Sequence, residues 1–188
     1  MPANGEMPDA MQSLLKAAQS AGDGLPPVDK WEPAYCGEMD MVIKRDGSWW
    51  HEGGLITRER LTRLFSTILR KDDDGIHYLV TPVEKIGIQV DIAPFIAVRM
   101  DRIGEGEEQS LIFTTNFGDL TEAGPEHGLR FLPDPASGEL LPLVHVRGRL
   151  EALLSRPVYY EMADLTVEHD GQLGIWSGGV FFPLQVEL

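Results

Sequence analysis

Ile86-Gly87-Ile88-Gln89-Val90-Asp91-Ile92-Ala93-Pro94-Phe95-Ile96-Ala97-Val98 is the stretch on which the fold turns. Apolar side chains stand at 86, 88, 90 and 92 with Gly87, Gln89 and Asp91 between them. A period of two puts them on one face of a half-buried strand. Ala93-Pro94 stops that strand, because proline cannot donate to a ladder. Phe95–Met100 then reads as the next strand, paired to the first. Upstream, His77–Val80 is a strand closed by Thr81-Pro82. Leu61, Leu64, Phe65, Ile68 and Leu69 share one face of a helix that Thr57 can cap. Met39, Met41 and Ile43 alternate, Asp46-Gly47 is a type I′ turn signal, and Trp49-Trp50 lie on the return strand. The Asp72-Asp73-Asp74-Gly75 run reads as a solvated turn, since a calcium loop needs a longer spacing and a distant glutamate.

Downstream, residues 101–109 form an acidic hairpin tip and Leu111-Ile112-Phe113 returns to the sheet. Residues 121–139 are irregular around Leu129–Leu132. Leu143, Val144 and Val146 predict a strand, Leu150, Leu153 and Leu154 a short helix that Pro157 ends, and Val158–Met162, Leu165–Glu168 and Gly174–Phe182 further strands. Asp170-Gly171 is another hairpin turn. At the other end, residues 1–8 are polar and expected to be disordered. A helix follows, with Asp9 and Gln12 at capping-box spacing, an apolar face of Met11, Leu14, Leu15 and Ala18, and a stop at Gly22. Residues 22–33 read as an extended linker anchored by Trp31.

Self-similarity organises these segments. Arg58-Glu59-Arg60-Leu61-Thr62-Arg63-Leu64-Phe65-Ser66 parallels Arg147-Gly148-Arg149-Leu150-Glu151-Ala152-Leu153-Leu154-Ser155. The expected fold is α+β: two related domains, each an antiparallel sheet with a helix, from an internal duplication. The boundaries are 1–36 for the N-terminal helix and linker, 37–93 for the first repeat and 94–188 for the second. A seam between such repeats is a preferred place for a pocket. Arg60 and Arg149, both read as lying at helix starts, would suit a phosphate or carboxylate there.

Charge and composition narrow the function. Of 188 residues, 16 are Lys or Arg and 30 are Asp or Glu, a net charge of −14. Such a field repels duplex nucleic acid and anionic membranes. The lone Cys36 excludes an internal disulfide and a multi-cysteine zinc site. No apolar run approaches the roughly 20 residues of a membrane span, and Met1–Glu6 lacks the basic flank and apolar core of a secretory signal. A cytoplasmic location is therefore expected. Nothing suggests an enzyme or a cofactor: there is no Gly-x-Ser-x-Gly elbow, no phosphate loop, and no pair among His51, His77, His127, His145 and His169 at metal-ligand spacing. His145, between Val144 and Val146, reads as a half-buried imidazole. Tyr159 and Tyr160 face opposite sides of their strand, which leaves one free to line a pocket. Trp176 is as a rule core, but an aromatic beside arginine also suits a flat heterocycle.

The chain also resembles a bacterial family known as domain of unknown function 1285. The resemblance is carried by Asp46-Gly47…Trp50, Tyr78-Leu79-Val80-Thr81-Pro82-Val83-Glu84-Lys85, Phe113-Thr114-Thr115-Asn116-x-Gly118-Asp119, Val144-His145-Val146-Arg147, Val158-Tyr159-Tyr160 and Gly174-x-Trp176-Ser177-x-Gly179-x-Phe181-Phe182. It implies a duplicated α+β core whose C-terminal half is superficially like a pleckstrin-homology half-barrel. It further implies a site at the domain interface for a nucleotide-like ligand, and a role in signalling. Carried onto this chain, the interface residues are Thr81, Glu84, Lys85, Asn116, Asp119, His145, Arg147, Tyr159 and Trp176. The functional expectation is a non-enzymatic module that holds a small anionic ligand and signals to a protein partner. A protein-interaction module without a small ligand is the alternative.

Overall fold

In the computed structural model, which describes residues 9–20 and 24–186, the chain builds two six-stranded sheets and a three-stranded one. The expected disorder of residues 1–8 and the expected stop at Gly22 lie outside the described residues. The chain divides into two units, and each is a sheet with its own core.

The first unit holds the described residues up to Lys44 together with Ser48–Asp91. It runs α1 (Asp9–Gln19), β1 (Tyr35–Ile43), β2 (Trp49–His51), β3 (Gly54–Leu55), α2 (Glu59–Thr67), β4 (Leu69–Lys71), β5 (His77–Val80) and β6 (Lys85–Val90). The sheet order is β3-β2-β1-β6-β5-β4, with β1 and β6 parallel and the other neighbours antiparallel. Trp49, Phe65, Ile43 and Leu79 are fully buried, and Trp49 stacks on Phe65 with ring centroids 6.3 Å apart. Helix α1 packs against α2 through the face the periodicity marked, with Met11, Leu14 and Ala18 buried. Arg70 fixes the linker: its Nη1 donates to the carbonyls of Val28 and Trp31, both at 2.8 Å. The anchor at Trp31 is thus its backbone oxygen.

The second unit takes Arg45–Gly47 and the chain from Ile92 onward. Its strands are β7 (Phe95–Ile103), β8 (Ser110–Thr115), β9 (Leu120–Glu122), β10 (Leu129–Pro133), β11 (Leu140–Arg147) and β12 (Leu150–Leu154). Helix α3 (Arg156–Ala163) follows, then β13 (Val167–His169), β14 (Gln172–Ser177) and β15 (Val180–Pro183) as a separate small sheet. The six-stranded order is β9-β8-β7-β12-β11-β10, again with first and last strands paired in parallel. Each half is therefore a three-stranded meander followed by another, closed at the same central pair, and this shared topology shows the duplication. The second sheet curls into a half-barrel, and Thr121 Oγ1 of β9 reaches across to donate to the His145 carbonyl of β11 at 3.0 Å.

Several expectations need correction. Strand β6 and strand β7 belong to different sheets, so Phe95–Met100 does not pair with the stretch before it. Leu150–Leu154 is a strand and Tyr159-Tyr160 lie on helix α3, the reverse of the predicted assignment. Pro157 opens that helix near its N-terminus, where a missing N–H costs nothing. The Arg58–Ser66 and Arg147–Ser155 segments are consequently a helix and a strand hairpin, and the duplication lies in strand order instead. Arg149 sits in a two-residue turn after Gly148, whose φ of +53° suits the first position of a type II′ hairpin. The Asp46-Gly47 turn is a three-residue loop closed by Lys44 N–H to the Ser48 carbonyl, with Gly47 left-handed. Arg58, not Thr57, occupies the cap of α2. The final strands form a sheet of their own.

Candidate functional site

The residues singled out in the sequence separate into groups. In the first unit, Thr81 is buried and its Oγ1 accepts the N–H groups of Val83 at 3.3 Å and Glu84 at 3.0 Å, which shapes the β5–β6 turn. Lys85 reaches Asp72 at 2.9 Å and lies over the Tyr78 ring at 4.4 Å, so it pairs with Asp72 and not with Glu84. Glu84 keeps one carboxylate oxygen, Oε2, buried without a hydrogen-bond partner. Arg60 is exposed on α2. Burial opposes the charge on Asp72, but hydrogen bonds from Arg70 and Lys85 outweigh it and hold the carboxyl below its ordinary range.

In the second unit, the β8–β9 turn brings Asn116 and Asp119 together. Thr115 Oγ1 accepts from the Phe117 and Asp119 N–H groups and donates to Asp119 Oδ2 at 3.0 Å, an ordinary Ser/Thr turn. Arg147 donates to Asp119 Oδ1 at 2.8 Å with its guanidinium 5.0 Å from the Phe95 ring centroid. Asn116 Oδ1 accepts the Ile96 N–H at 3.1 Å, and its own N–H bonds the Ile96 carbonyl at 2.8 Å. That double tie satisfies β7 just before its register shift. Arg147, Asp119 and Asn116 thus hold the sheet together where a ligand contact was expected of them. Tyr159 is half-buried and Tyr160 exposed on α3, with the two rings stacked at 6.3 Å. Arg149 is exposed.

Trp176 is the exception, because it borders a concave surface. A cleft of about 420 Å³ opens between the β7–β8 tip and the segment linking α3 to β13. Arg102, Glu107 and Gln109 form one wall, Asp164 and Glu168 the other, and Trp176 lies with His169 at the aromatic side. This size falls within the range of small-molecule sites, about 300–1,000 Å³. His169, Trp176 and Phe181 form an aromatic triad with centroid separations of 4.9, 5.0 and 5.3 Å. The buried Gln109 locks the wall in place: its Nε2 donates to the Trp176 carbonyl at 2.8 Å, and its carbonyl accepts the Gly178 N–H at 3.1 Å. Ser177 extends the seam, accepting the Leu111 N–H at 2.9 Å and donating to the Ala123 carbonyl at 2.7 Å.

The chemistry of the cleft follows from its charges. Arg45, Arg70, Arg99, Arg130 and Arg147 each meet a carboxylate. Arg102 is in no ion pair among the described residues, so its fork is available to an anion. Glu107 beside it on the same wall, and Asp164 and Glu168 on the other, are hydrogen-bond acceptors. Sequence reasoning marked Trp176 but missed Arg102, His169, Glu107, Gln109, Asp164 and Glu168. Their stretches read as a solvated tip and a strand, and only the docking of the small sheet makes them face one space.

Comparison with known proteins places the chain in context. Residues 26–93 match a family described as "Domain of unknown function (DUF1285), N-terminal domain", and residues 94–184 match "Protein of unknown function (DUF1285), C-terminal domain". A crystal structure of a DUF1285 family protein from Silicibacter pomeroyi DSS-3 shares 47% identity and a TM-score of 0.87, covering 92% of this chain and 94% of that one. Another, from Shewanella baltica OS155, shares 25% identity with a TM-score of 0.51 over 67% of this chain and 91% of that one. No curated protein matches.

Proposed function

This chain belongs to the DUF1285 family, and we propose that it is a small-ligand-binding module whose ligand occupies the cleft of the second unit. The observation that carries the reading is the meeting, in one cleft, of an aromatic wall with Arg102, which forms no ion pair among the described residues. A flat ring packs against Trp176, and a single anionic group takes the Arg102 fork. Glu107, Asp164 and Glu168 accept hydrogen bonds from hydroxyl or amino groups on the same molecule. Three carboxylates around one arginine also repel dense negative charge. The ligand class is therefore a nucleoside-like molecule with one anionic group, in preference to a triphosphate. The module is non-enzymatic, with no bond made or broken in the cleft. Occupancy there is what a signalling partner would read.

A thermal-shift panel of nucleosides, their mono- and triphosphates and inorganic phosphate tests the reading. A ligand at a hundredfold excess over its dissociation constant stabilises by about 2.7 kcal/mol. The expected result is a monophosphate shift that exceeds the triphosphate shift and disappears in both Arg102→Ala and Trp176→Ala. A triphosphate preference, or a hit that both variants retain, would refute the assignment. Silence across the panel would transfer the reading to a protein-interaction module.

A further inference from the structure

We propose that His127 and His145 form a two-histidine binding site for a divalent metal ion of the copper, nickel and zinc class, apart from the cleft. The two rings meet edge to edge, with centroids 4.9 Å apart, planes 26° from parallel and their Nδ1 atoms 2.8 Å from one another. His145 Nε2 lies 2.7 Å from the Gly148 carbonyl. A carbonyl only accepts, so that nitrogen carries hydrogen, and the neutral ring then holds its lone pair on Nδ1. Donating the remote N–H to a backbone carbonyl is the arrangement that orients metal-ligating imidazoles. The lone pair is aimed at Nδ1 of His127, and two such lone pairs need a cation between them. A proton fills that role as a hydrogen bond, and a metal ion can replace it.

The backbone fixes both rings beforehand. His145 N–H donates to the Gly128 carbonyl at 3.0 Å, and its carbonyl accepts Thr121 Oγ1. The His127 carbonyl accepts the Gly124 N–H at 2.9 Å. Two zinc–nitrogen bonds of about 2.0–2.1 Å at a tetrahedral angle set the nitrogens about 3.3–3.4 Å apart. The rings therefore need to spread by about half an ångström. When a metal binds, His127 moves its hydrogen from Nδ1 to Nε2, so a neutral pair loses no proton overall. Among the described residues no group of three or more His, Cys, Asp or Glu is placed to hold a metal, so water completes the shell. An all-nitrogen protein contribution selects copper, nickel and zinc over magnesium and calcium, which favour oxygen.

The test uses the untagged, metal-free full chain, titrated calorimetrically with Cu²⁺, Zn²⁺ and Mg²⁺. One equivalent of Cu²⁺ binds more tightly than Zn²⁺, and Mg²⁺ gives no binding. His127→Ala and His145→Ala each weaken binding more than about tenfold, a larger loss than the lower limit seen when only a supporting partner of a ligand is removed. His51→Ala binds as the parent does. In parallel, Zn²⁺ shifts the imidazole NMR resonances of His127 and His145 in the unaltered chain, which needs no variant to fold. Absence of a one-equivalent site, undiminished binding in His145→Ala, or resonances of that pair that do not move would each overturn the proposal.

Discussion

The hydroxyl of Tyr78 donates to Asp74 at 2.7 Å, and ionising it would place an anion beside that carboxylate. The hydrogen bond to Asp74, helped by burial, pushes the phenol up to about 12 from an ordinary value of about 10. Because the folded value is raised, the stabilisation is complete below about pH 10 and is lost as pH rises toward 12. Tyrosinate absorbance on alkaline titration is expected to show one late-ionising tyrosine, absent in Tyr78→Phe. Asp72 works in the opposite direction. Its carboxyl is lowered in the fold, so its contribution is present above the ordinary carboxylate range and disappears as pH falls through the folded value. Removing its main partner with Arg70→Ala also frees the Val28 and Trp31 carbonyls, and urea denaturation is expected to show a loss of about 1.5–3 kcal/mol. Lys85 and Thr81 were marked as ligand contacts on resemblance, whereas the network around Asp72 and the β5–β6 turn give both a structural task. The residue type announced a polar site, but only the fold discloses what each polar atom touches. His127 and His145 were unreadable as a pair for the same reason, since the loop before β10 and the far part of β11 bring them together.

At the scale of elements, alternation and periodicity served where one face alone is buried. Ile86 and Ile88 lie inside with Gln89 out, and α1 buries the face marked for it. Of the face marked for α2, Phe65 is buried and Leu61 and Leu64 half-buried, while Ile68 caps the helix and Leu69 lies on β4. They failed at β12, where Leu150, Ala152, Leu153 and Leu154 are all buried. A strand covered on both sides reads as a continuous apolar run, and leucines at i, i+3 and i+4 imitate a helix. The next segment misled in the other direction: Val158-Tyr159-Tyr160 has strand-forming side chains, but Pro157 and the packing of Val158 and Met162 make it a helix. The small sheet supplies a prediction at this scale. Gly178 has a φ of +58°, and a Cβ there would lie 2.7 Å from the Ala123 carbonyl oxygen. Gly178→Ala is expected to lower stability by about 1–3 kcal/mol in urea and to loosen the wall that Gln109 ties to Trp176. On α1, Leu14 is fully buried, and Leu14→Ala is expected to cost about 2–5 kcal/mol by the same measurement. Stability equal to the parent in either variant would show that these contacts do not form as described.

For the molecule as a whole, the duplication was legible as a property but not in its alignment. Two halves with strand order 3-2-1-6-5-4, counted within each half, are a fact of topology that similarity between an arginine-bearing helix and an arginine-bearing hairpin could not reveal. The net charge of −14 acts at this scale too: under the proposed reading it works against dense polyanions, while a local arginine can still serve a small anion. No described helix is long and apolar enough to cross a membrane. The second half alone adds α3 and the small sheet after its duplicated core, and these additions are what create the cleft. Calorimetric titration of the full chain and its Arg102→Ala variant with a nucleoside monophosphate, and with the matching nucleoside, tests that assignment most directly. The account predicts that the variant binds the monophosphate about 10–100-fold more weakly, the scale of a charged hydrogen bond, while its affinity for the nucleoside is unchanged. Equal loss for both compounds, or no loss for either, would contradict it.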